Sequence, residues 1–327
     1  MIIPSSCEKR SERPSVLLVA SGGVGDDILS LPFLNILAAE LKNHDLHFVI
    51  LPGRRELFGS LDRYRIVEPW ETDKVAVILG RYHDIVFDLG FSTTHLTNGV
   101  FEPDSLRYGT YVGFAKPTSI LREVTVPVSP DIPMWQQYIS LASAVGIRSG
   151  SRPECQIETS DFSKRCAEIL VDLENKLPLV CVAPGTAGGP LKQWPAEYFA
   201  TLIRMLNAKR PLHFVLVGEL FEMGLGDTIA ALAEVEIDNL MGLTPLGSFV
   251  HIVKNSKLVV ANDNGAMHLG GLLNTPTIGL FGPSNPVQFQ PLGKKAVVIH
   301  AGSGNMTDID PPSVAAECLH LLDAETA

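Results

Sequence analysis

The chain has 327 residues, of which 46% are hydrophobic and 19% are charged, and its net charge is −10. This length fits two domains that each bury a core, and the composition excludes a disordered or fibrous chain. The negative charge and the absence of a Lys/Arg run exclude a protein that tracks a nucleic-acid backbone. Neither half of the chain is basic, so an anionic partner would have to meet a local patch.

The five cysteines are far apart and form neither a CxxC pair nor a cluster with histidine: Cys7, Cys155, Cys166, Cys181 and Cys318. This usage favours reduced thiols over disulfides or a zinc site. The N-terminus lacks a basic segment, and no apolar run reaches 18 residues. We therefore expect a cytoplasmic protein with at most peripheral contact with a membrane.

The first half predicts βα units. A polar tail covers 1–14, a buried strand covers 16–20, and a helical pattern follows at 29–41. Strands are predicted at 46–51, 75–79 and 85–89, and a last helix at 135–145. A Gly/Ser/Pro-rich stretch at 148–153 predicts a linker. The predicted division is a tail at 1–14, a first domain at 15–155 and a second domain at 156–327.

The second half alternates more regularly between strand and helix patterns. Strands are predicted at 179–183, 213–217, 238–240, 257–261 and 276–280, with helices at 196–208, 226–233, 246–254 and 265–273. This alternation predicts a doubly wound parallel sheet. Ligands bind such sheets beyond the carboxyl ends of the strands. Five polar, Gly-containing loops fall there, at 184–192, 218–222, 241–244, 262–265 and 281–284.

The segment from Asn262 to His268 opens a helix directly after a strand, so its free N–H groups can meet a phosphate. Asp263 or Asn264 would cap this helix, and a plain cap without a ligand is the alternative. His268 lies one turn inside the helix, where a buried core histidine is a simpler interpretation than a catalyst.

Other loops of the second half carry charged residues. Lys192 lies in a Gly-rich loop before a helix that begins near Pro195, where it would neutralise a diphosphate or remain a solvated surface lysine. Glu219 and Glu222 follow a strand as ribose-binding carboxylates do, or sit in the first turn of a helix.

The loop Ser21-Gly-Gly-Val-Gly-Asp-Asp27 follows the first strand. It contains GxG without the third glycine of a dinucleotide fingerprint, and it lacks the GK[ST] of a P-loop. Asp26 is predicted at the edge of the crevice. The alternative is a tight turn in which Asp26 and Asp27 only decorate the start of a helix.

Taken together and in this order, these segments resemble glycosyltransferase family 9, the ADP-heptose:lipopolysaccharide heptosyltransferases. The likeness runs from about residue 16 to 322. It rests on Gly25-Asp26 with Leu29 and Pro32, Pro184-Gly185 with Lys192-Gln-Trp-Pro195, Gly218 with Glu222, Gly242-Leu-Thr-Pro-Leu246, Asn262-Asp-Asn-Gly-Ala-Met-His-Leu269 and Phe281-Gly-Pro-Ser-Asn-Pro286. The chain departs from the family at Asn264 and Ala266, where Ser or Thr and Pro are usual.

The resemblance implies a GT-B fold, in which two Rossmann-like, doubly wound α/β domains face a central cleft. It implies that the first domain binds the acceptor and that the second binds an ADP-linked sugar. Asp26 would be the general base, Lys192 the diphosphate partner, Glu222 a ribose ligand, and Asp263 with Gly265 sugar and phosphate contacts. The rest of the expected donor site is Gly185, Thr186, Met241, Asn264 and His268.

The implied reaction is a one-step inverting transfer without a metal or other cofactor, in which Asp26 deprotonates a hydroxyl of a lipopolysaccharide core acceptor. Asp308-Ile-Asp310 is a DxD sequence outside the crevice loops. Asp27 is expected to serve the first turn of its helix. The alternatives are a soluble metabolite or protein acceptor, or an inactive nucleotide-sugar-binding module. A basic patch for an anionic acceptor, or else a solvated face, is predicted from Arg54, Arg55, Arg63 and Arg122.

Overall fold

The computed structural model describes residues 13–20, 22–90, 106–115, 124–148, 157, 161–171, 177–186 and 188–324. In the first domain, the helices are α1 Val24–Glu40, α2 Thr72–Leu79 and α3 Met134–Ala144. The strands are β1 Ser15–Val19, β2 Asp45–Val49, β3 Tyr64–Val67, β4 Tyr82–Asp88, β5 Arg107–Phe114 and β6 Val124–Val126. They form one parallel sheet in the order β3-β2-β1-β4-β5-β6.

The second domain repeats this plan. Its helices are α4 Asp161–Leu170, α5 Ala196–Lys209, α6 Met223–Ala233, α7 Leu246–Asn255, α8 Gly265–Leu272 and α9 Pro311–Ala324. Its strands are β7 Leu179–Ala183, β8 His213–Leu216, β9 Ile237–Asn239, β10 Leu258–Asn262, β11 Thr277–Phe281 and β12 Ala296–His300. The sheet order is β12-β11-β10-β7-β8-β9, again with parallel pairing throughout.

Helices cover both faces of the central strands, which explains why these strands are apolar at nearly every position. Every residue of β1, β7, β10 and β11 is buried. Strands that are buried on both faces read as continuous apolar runs rather than as alternating patterns. The order of each sheet reverses beside its first strand, at β1 next to β4 and at β7 next to β10, and such a reversal opens a crevice at the carboxyl ends.

The two domains touch where α1 and α8 begin. A β-carbon at Gly25 would lie 2.7 Å from Cδ2 of His268, and one at Gly265 would lie 2.9 Å from Cβ of Val24. Two glycines therefore allow the helix starts to approach closely across the cleft. The predicted GT-B arrangement, with two doubly wound domains facing a cleft, is confirmed.

One predicted strand is wrong, because 75–79 belongs to helix α2. Val75, Ile78 and Leu79 are buried while Val77 is exposed, which is the three-to-four residue spacing of a helix face. The short apolar run did not distinguish the two structures. Strands β3, β5, β6 and β12 were not predicted, and α1 begins five residues earlier than expected.

Several predictions lie outside the described residues, namely most of the tail at 1–14, the linker at 149–153 and the boundary at 155/156. Cys7 and Cys155 also lie outside, and the other three cysteines are unpaired. Helix α3 packs on α1, and helix α4 packs on α7. Within the described ranges, none of the helices is both long and apolar enough to cross a bilayer.

Candidate active site

A cavity of about 500 Å³ lies between the domains, at the carboxyl ends of both sheets. The first domain lines it with the start of α1 and the loop after β2. The second domain lines it with the loops after β7, β8 and β10 and with the start of α7. Its lining includes Asp26, Arg54, Gly185, Thr186, Lys192, Gly218, Glu222, Phe249, Asp263, Asn264, Gly265, His268 and Phe289.

Asp26 lies in the first turn of α1, half-buried at the cavity wall. Its Oδ2 accepts a hydrogen bond of 2.9 Å from the N–H of Gly23, the N-cap residue, and so satisfies one free donor at the helix start. This bond explains why α1 begins at Val24 rather than at the predicted residue 29. It also holds one carboxylate oxygen of Asp26 in place while the side chain faces the cavity.

Asp27 lies in the first turn of α1 with its side chain buried. Asp26 makes the first-turn contact, whereas Asp27 is 3% exposed and lies outside the cavity lining. Its Oδ2 has no hydrogen-bond partner among the described residues, and Nε of Arg54 lies 3.9 Å away. Burial raises the pKa of Asp27 to about 8, while the Arg54 charge opposes this shift. Asp27 thus lies in the first turn of α1 and points away from the cavity, and its service to the helix start stays a prediction.

The arginines predicted to form an acceptor-binding patch do not all lie at the cavity. Arg54 lines the cavity. Arg55 bonds to the carbonyl of Ile66 and to Glu71, and Arg63 bonds to three backbone carbonyls near the end of α1. Neither Arg55 nor Arg63 lines the cavity, because both tie segments of their own domain together. Arg122 lies outside the described residues.

Lys192 reaches the cavity from the loop after β7. Its Nζ lies 3.0 Å from Oδ2 of Asp263 and 5.8 Å from the centre of the Phe289 ring. The lysine is 30% exposed, whereas Asp263 is 8% exposed. An anion that entered the cavity would therefore meet a cation that already has a carboxylate partner and is held in a defined place.

Asn264 caps α8, as one of the two predicted alternatives had it. Its Oδ1 accepts hydrogen bonds from the N–H groups of Ala266 and Met267. Its Nδ2 donates to the carbonyls of Ala183 and Gly185, which ties the helix start to the loop after β7. Because Asn264 uses two of the first N–H groups, the helix start is less open to a phosphate than the sequence suggested.

Glu222 follows β8, and its carboxylate occupies space left by two glycines. A β-carbon at Gly185 would overlap that carboxylate, and one at Gly218 would lie 2.8 Å from its Oε2. Oε2 accepts a hydrogen bond of 2.9 Å from the N–H of Glu219. The predicted donor residue Met241 is fully buried beneath Gly218 and does not line the cavity.

His268 lines the cavity although it is only 4% exposed. Its Nε2 lies 4.0 Å from Oδ1 of Asp263, and its Nδ1 has no partner among the described residues. Burial lowers the pKa of His268 to about 4, the Lys192 charge acts in the same direction, and Asp263 opposes both. The ring is therefore neutral at physiological pH.

Some lining residues were missed by the sequence analysis. Phe249 in α7 and Phe289 after β11 line the cavity. Neither belongs to a recognisable sequence motif, and an aromatic residue without a motif is usually predicted to lie in the hydrophobic core. Of the five predicted loops, 281–284 does not line the cavity. Its Gly282 instead packs against Met306, where a β-carbon would lie 2.6 Å from the sulfur.

The family model described as glycosyltransferase family 9 (heptosyltransferase) matches residues 100–318, which include Lys192, Glu222 and Asp263 but not Asp26. Lipopolysaccharide heptosyltransferase 2 of Escherichia coli is 30% identical over 221 residues, which cover 59% of this chain and 63% of that protein. The chain thus matches less than two thirds of the length of this relative.

Two solved structures share the fold over nearly the whole chain. One, described as the structure of E. coli ADP-heptose lps heptosyltransferase II, has a TM-score of 0.80 and 25% identity, and the match covers 96% of this chain and 100% of that one. An E. coli heptosyltransferase with ADP has a TM-score of 0.68 and 17% identity, with 94% and 99% covered. From the family match and the two-domain architecture together, the chain belongs to glycosyltransferase family 9.

Proposed function

We propose that this chain is an inverting, metal-independent glycosyltransferase that moves a heptose-like sugar from an ADP-linked donor to a hydroxyl of a lipopolysaccharide core acceptor. The main support is that a single cavity is lined by a carboxylate of the first domain, Asp26, and by a lysine and a helix N-terminus of the second domain. The names of the relatives support the donor and the acceptor class. The cytoplasmic location, with at most peripheral membrane contact, remains a prediction from the cysteine usage.

The second domain is proposed to bind the donor. The Glu222 carboxylate would accept hydrogen bonds from ribose hydroxyls, with Gly185 and Gly218 allowing the nucleotide to approach the backbone. Thr186 is part of this wall, and its hydroxyl accepts a hydrogen bond from the N–H of Gly188. The diphosphate would lie near Lys192 and the start of α8.

In the reaction, Asp26 takes the proton of the acceptor hydroxyl as its oxygen attacks the anomeric carbon of the donor. The bond from that carbon to the diphosphate oxygen breaks, and ADP leaves with the electron pair. Lys192 stabilises the charge that develops on the leaving group, together with the N–H of Gly265 at the positive end of α8. Fixed donors aimed at this charge supply the role that a metal has in other transferases.

Asp26, rather than Asp27, is proposed as the base because only Asp26 lines the cavity. The hydrogen bond from the N–H of Gly23 fixes Oδ2 of Asp26 at the cavity wall. His268 is proposed as a neutral group beside the diphosphate, and Asp263 as a contact to the sugar that also holds Lys192.

A thermal-shift panel with ADP, UDP and GDP and their sugars tests the donor, because a ligand that binds only the folded state stabilises it. We expect the largest shift with an ADP-linked sugar, followed by transfer to a lipopolysaccharide core acceptor. Clearly better binding of UDP or GDP forms would contradict the donor assignment. Donor binding with hydrolysis or transfer only to a small acceptor would favour the soluble-acceptor alternative, and binding without turnover would indicate an inactive module.

A further inference from the structure

The loop between β7 and α5 carries Lys192 to the cavity and is held by side chains from elsewhere in the second domain. A connection that leaves a sheet loses its ladder of backbone hydrogen bonds, so its buried polar groups need other partners. In this loop, those partners include the side chains of Asn262, the last residue of β10, and Asn264, the residue before α8. We call these two side chains the asparagine bridge.

Asn262 joins the two ends of the loop. Its Nδ2 donates a hydrogen bond of 2.7 Å to the carbonyl of Pro184, and its Oδ1 accepts one of 3.2 Å from the N–H of Trp194. The side chain is fully buried and does not line the cavity, so it has no contact of its own with a ligand there. Trp194 is also fully buried, and its indole N–H donates to the carbonyl of Ile309. The chain two residues beyond Lys192 is thus fixed from two sides.

Asn264 uses its hydrogen-bonding capacity within the protein. An asparagine side chain offers two N–H donors and two acceptor lone pairs. Its Nδ2 donates to the carbonyls of Ala183 and Gly185. Its Oδ1 accepts hydrogen bonds from two N–H groups in the first turn of α8. The asparagine bridge therefore satisfies three successive carbonyls where the chain leaves β7, and the four bonds of Asn264 leave it no free group for a donor phosphate.

The residue between the two asparagines contacts the same loop. Oδ2 of Asp263 lies 3.0 Å from Nζ of Lys192. Three consecutive residues thus hold the loop at its start, at its lysine and at its end. The start of the loop also packs against the proposed ribose ligand, because a β-carbon at Gly185 would overlap the carboxylate of Glu222. One short segment therefore fixes the chain beside both proposed contacts of the nucleotide.

We propose that the asparagine bridge positions Lys192 for the diphosphate of the donor, by fixing both ends of the loop before the donor arrives. Asn262 and Asn264 are positioning residues, and neither touches the donor. This inference rests on the proposed function and deepens it. A salt bridge to a lysine that is 30% exposed restrains that side chain only weakly, whereas hydrogen bonds at both ends of the loop fix the main chain from which the lysine extends.

The main test compares the wild type with Asn262→Leu, which keeps the approximate size of the side chain and removes both hydrogen bonds. We expect the Kd of ADP, measured by calorimetry, to rise about 10-fold, because a displaced lysine no longer meets the diphosphate. Thr277→Val is the matched control, since it removes a buried hydrogen bond to the carbonyl of Thr275 at the opposite end of the same sheet. It should lower the melting temperature and leave the Kd of ADP unchanged. An equal rise in Kd in both variants would overturn the proposal.

Asn264→Ser tests the bridge even if Asn262→Leu does not fold. Serine caps a helix about as well as asparagine, so α8 keeps its cap while both bonds to the loop are lost. We expect the Kd of ADP to rise about 5-fold with a melting temperature near that of the wild type. If Asn264 were instead a direct ligand of the diphosphate, the serine hydroxyl would replace it. A Kd at or below the wild-type value would therefore contradict the proposal.

A double variant with Lys192→Ala provides a readout that a merely structural role would not change. Because Asn262 acts through Lys192, Asn262→Leu should weaken ADP binding much less in the Lys192→Ala background than in the wild type. Effects that simply multiply would show that Asn262 does not act through the lysine. Hydrogen exchange of the ligand-free protein gives a second readout, in which the N–H of Trp194 should exchange faster in Asn262→Leu. Unchanged exchange at Trp194 would also overturn the proposal.

The wild type separates this inference from the proposed function. If the wild type binds neither ADP nor an ADP-linked sugar, the proposed donor is wrong and this inference fails with it. If the wild type binds ADP and both asparagine variants bind it equally well, only this inference fails.

Discussion

The two walls of the cavity are built in different ways. In the second domain, the charged groups already have partners, since Lys192 is bonded to Asp263 and Asn264 caps α8. In the first domain, Asp27 and Arg54 are close without a hydrogen bond, and one oxygen of Asp27 is unused among the described residues. On the second-domain side of the cavity, the donor wall, Lys192 is thus paired before a ligand arrives, whereas on the first-domain side, the acceptor wall, Arg54 and Asp27 are not hydrogen-bonded to each other.

The difference suggests that the donor is bound by rigid, preorganised groups and that the acceptor is selected by groups that lack a hydrogen-bond partner. Preorganised groups lose little entropy when a ligand binds, and they suit a diphosphate that is common to many donors. Unsatisfied polar groups destabilise the fold, but they discriminate strongly against a ligand that leaves them unpaired. We expect variants of the donor wall to change donor affinity and variants of the acceptor wall to change turnover or acceptor affinity.

The largest effect should come from Asp26→Asn. Removal of a general base slows the reaction by about 10²–10⁴-fold, while donor affinity should be retained because the second domain is unchanged. The measurements are kcat and, by calorimetry, donor Kd. Asp62→Asn, an exposed residue outside the cavity, is the control. Retained turnover in Asp26→Asn would place the base elsewhere.

The donor wall should respond next, in Lys192→Ala. Loss of the cation should weaken donor binding and slow transfer by roughly 10- to 100-fold, because hydrogen bonds to charged groups are the strong ones. Lys209→Ala, at the exposed end of α5, serves as the matched variant. Activity of the wild type should survive EDTA. Loss of activity in EDTA, with recovery on adding Mg²⁺ or Mn²⁺, would contradict metal independence.

A smaller effect on the same wall is expected from Gly185→Ala. The added β-carbon would overlap the Glu222 carboxylate and displace it, which should weaken donor binding about 10-fold. Gly224→Ala adds the same atom where nothing lies within 4 Å, so donor affinity should not change there. Equal affinities of the two variants would show that the position of Glu222 does not matter.

The smallest effect, on stability alone, concerns His47 in β2, away from the cavity. Burial lowers the pKa of His47 to about 4, with the neighbouring His83 acting in the same direction, and neither ring nitrogen of His47 has a partner in the described part of the chain. The unfolded chain binds a proton at higher pH than the folded one, so stability should fall as pH drops from about 6.5 to about 4.

His47→Gln should reduce the acid-induced loss of unfolding free energy by on the order of 1–3 kcal/mol. Urea unfolding measured across this pH range would show the change. Donor affinity at neutral pH should not change, since His47 does not line the cavity. An unaltered slope of stability against pH would mean that another group, such as His83 or His268, accounts for the acid sensitivity.

Individual helices and strands show how much of the fold could be predicted from the sequence. The regular strands of the second domain were predicted closely, because apolar runs bounded by Gly-rich loops are local signals. Helix α2 was taken for a strand, since its apolar run is too short to show a period. The early start of α1 was missed because the cap depends on the hydrogen bond between Asp26 and Gly23 rather than on periodicity.

The two doubly wound domains and the loops that carry Lys192, Glu222 and Asn264 could be predicted from the sequence, since each is a contiguous pattern with a local physical cause. Three features depend on tertiary packing: Arg54 lies near Asp27, Met241 lies beneath the cavity, and Arg55 and Arg63 bond within their own domain. These outcomes depend on how residues far apart in the chain pack together. Neither the periodicity of hydrophobic residues nor the spacing of motifs predicts such contacts between distant segments.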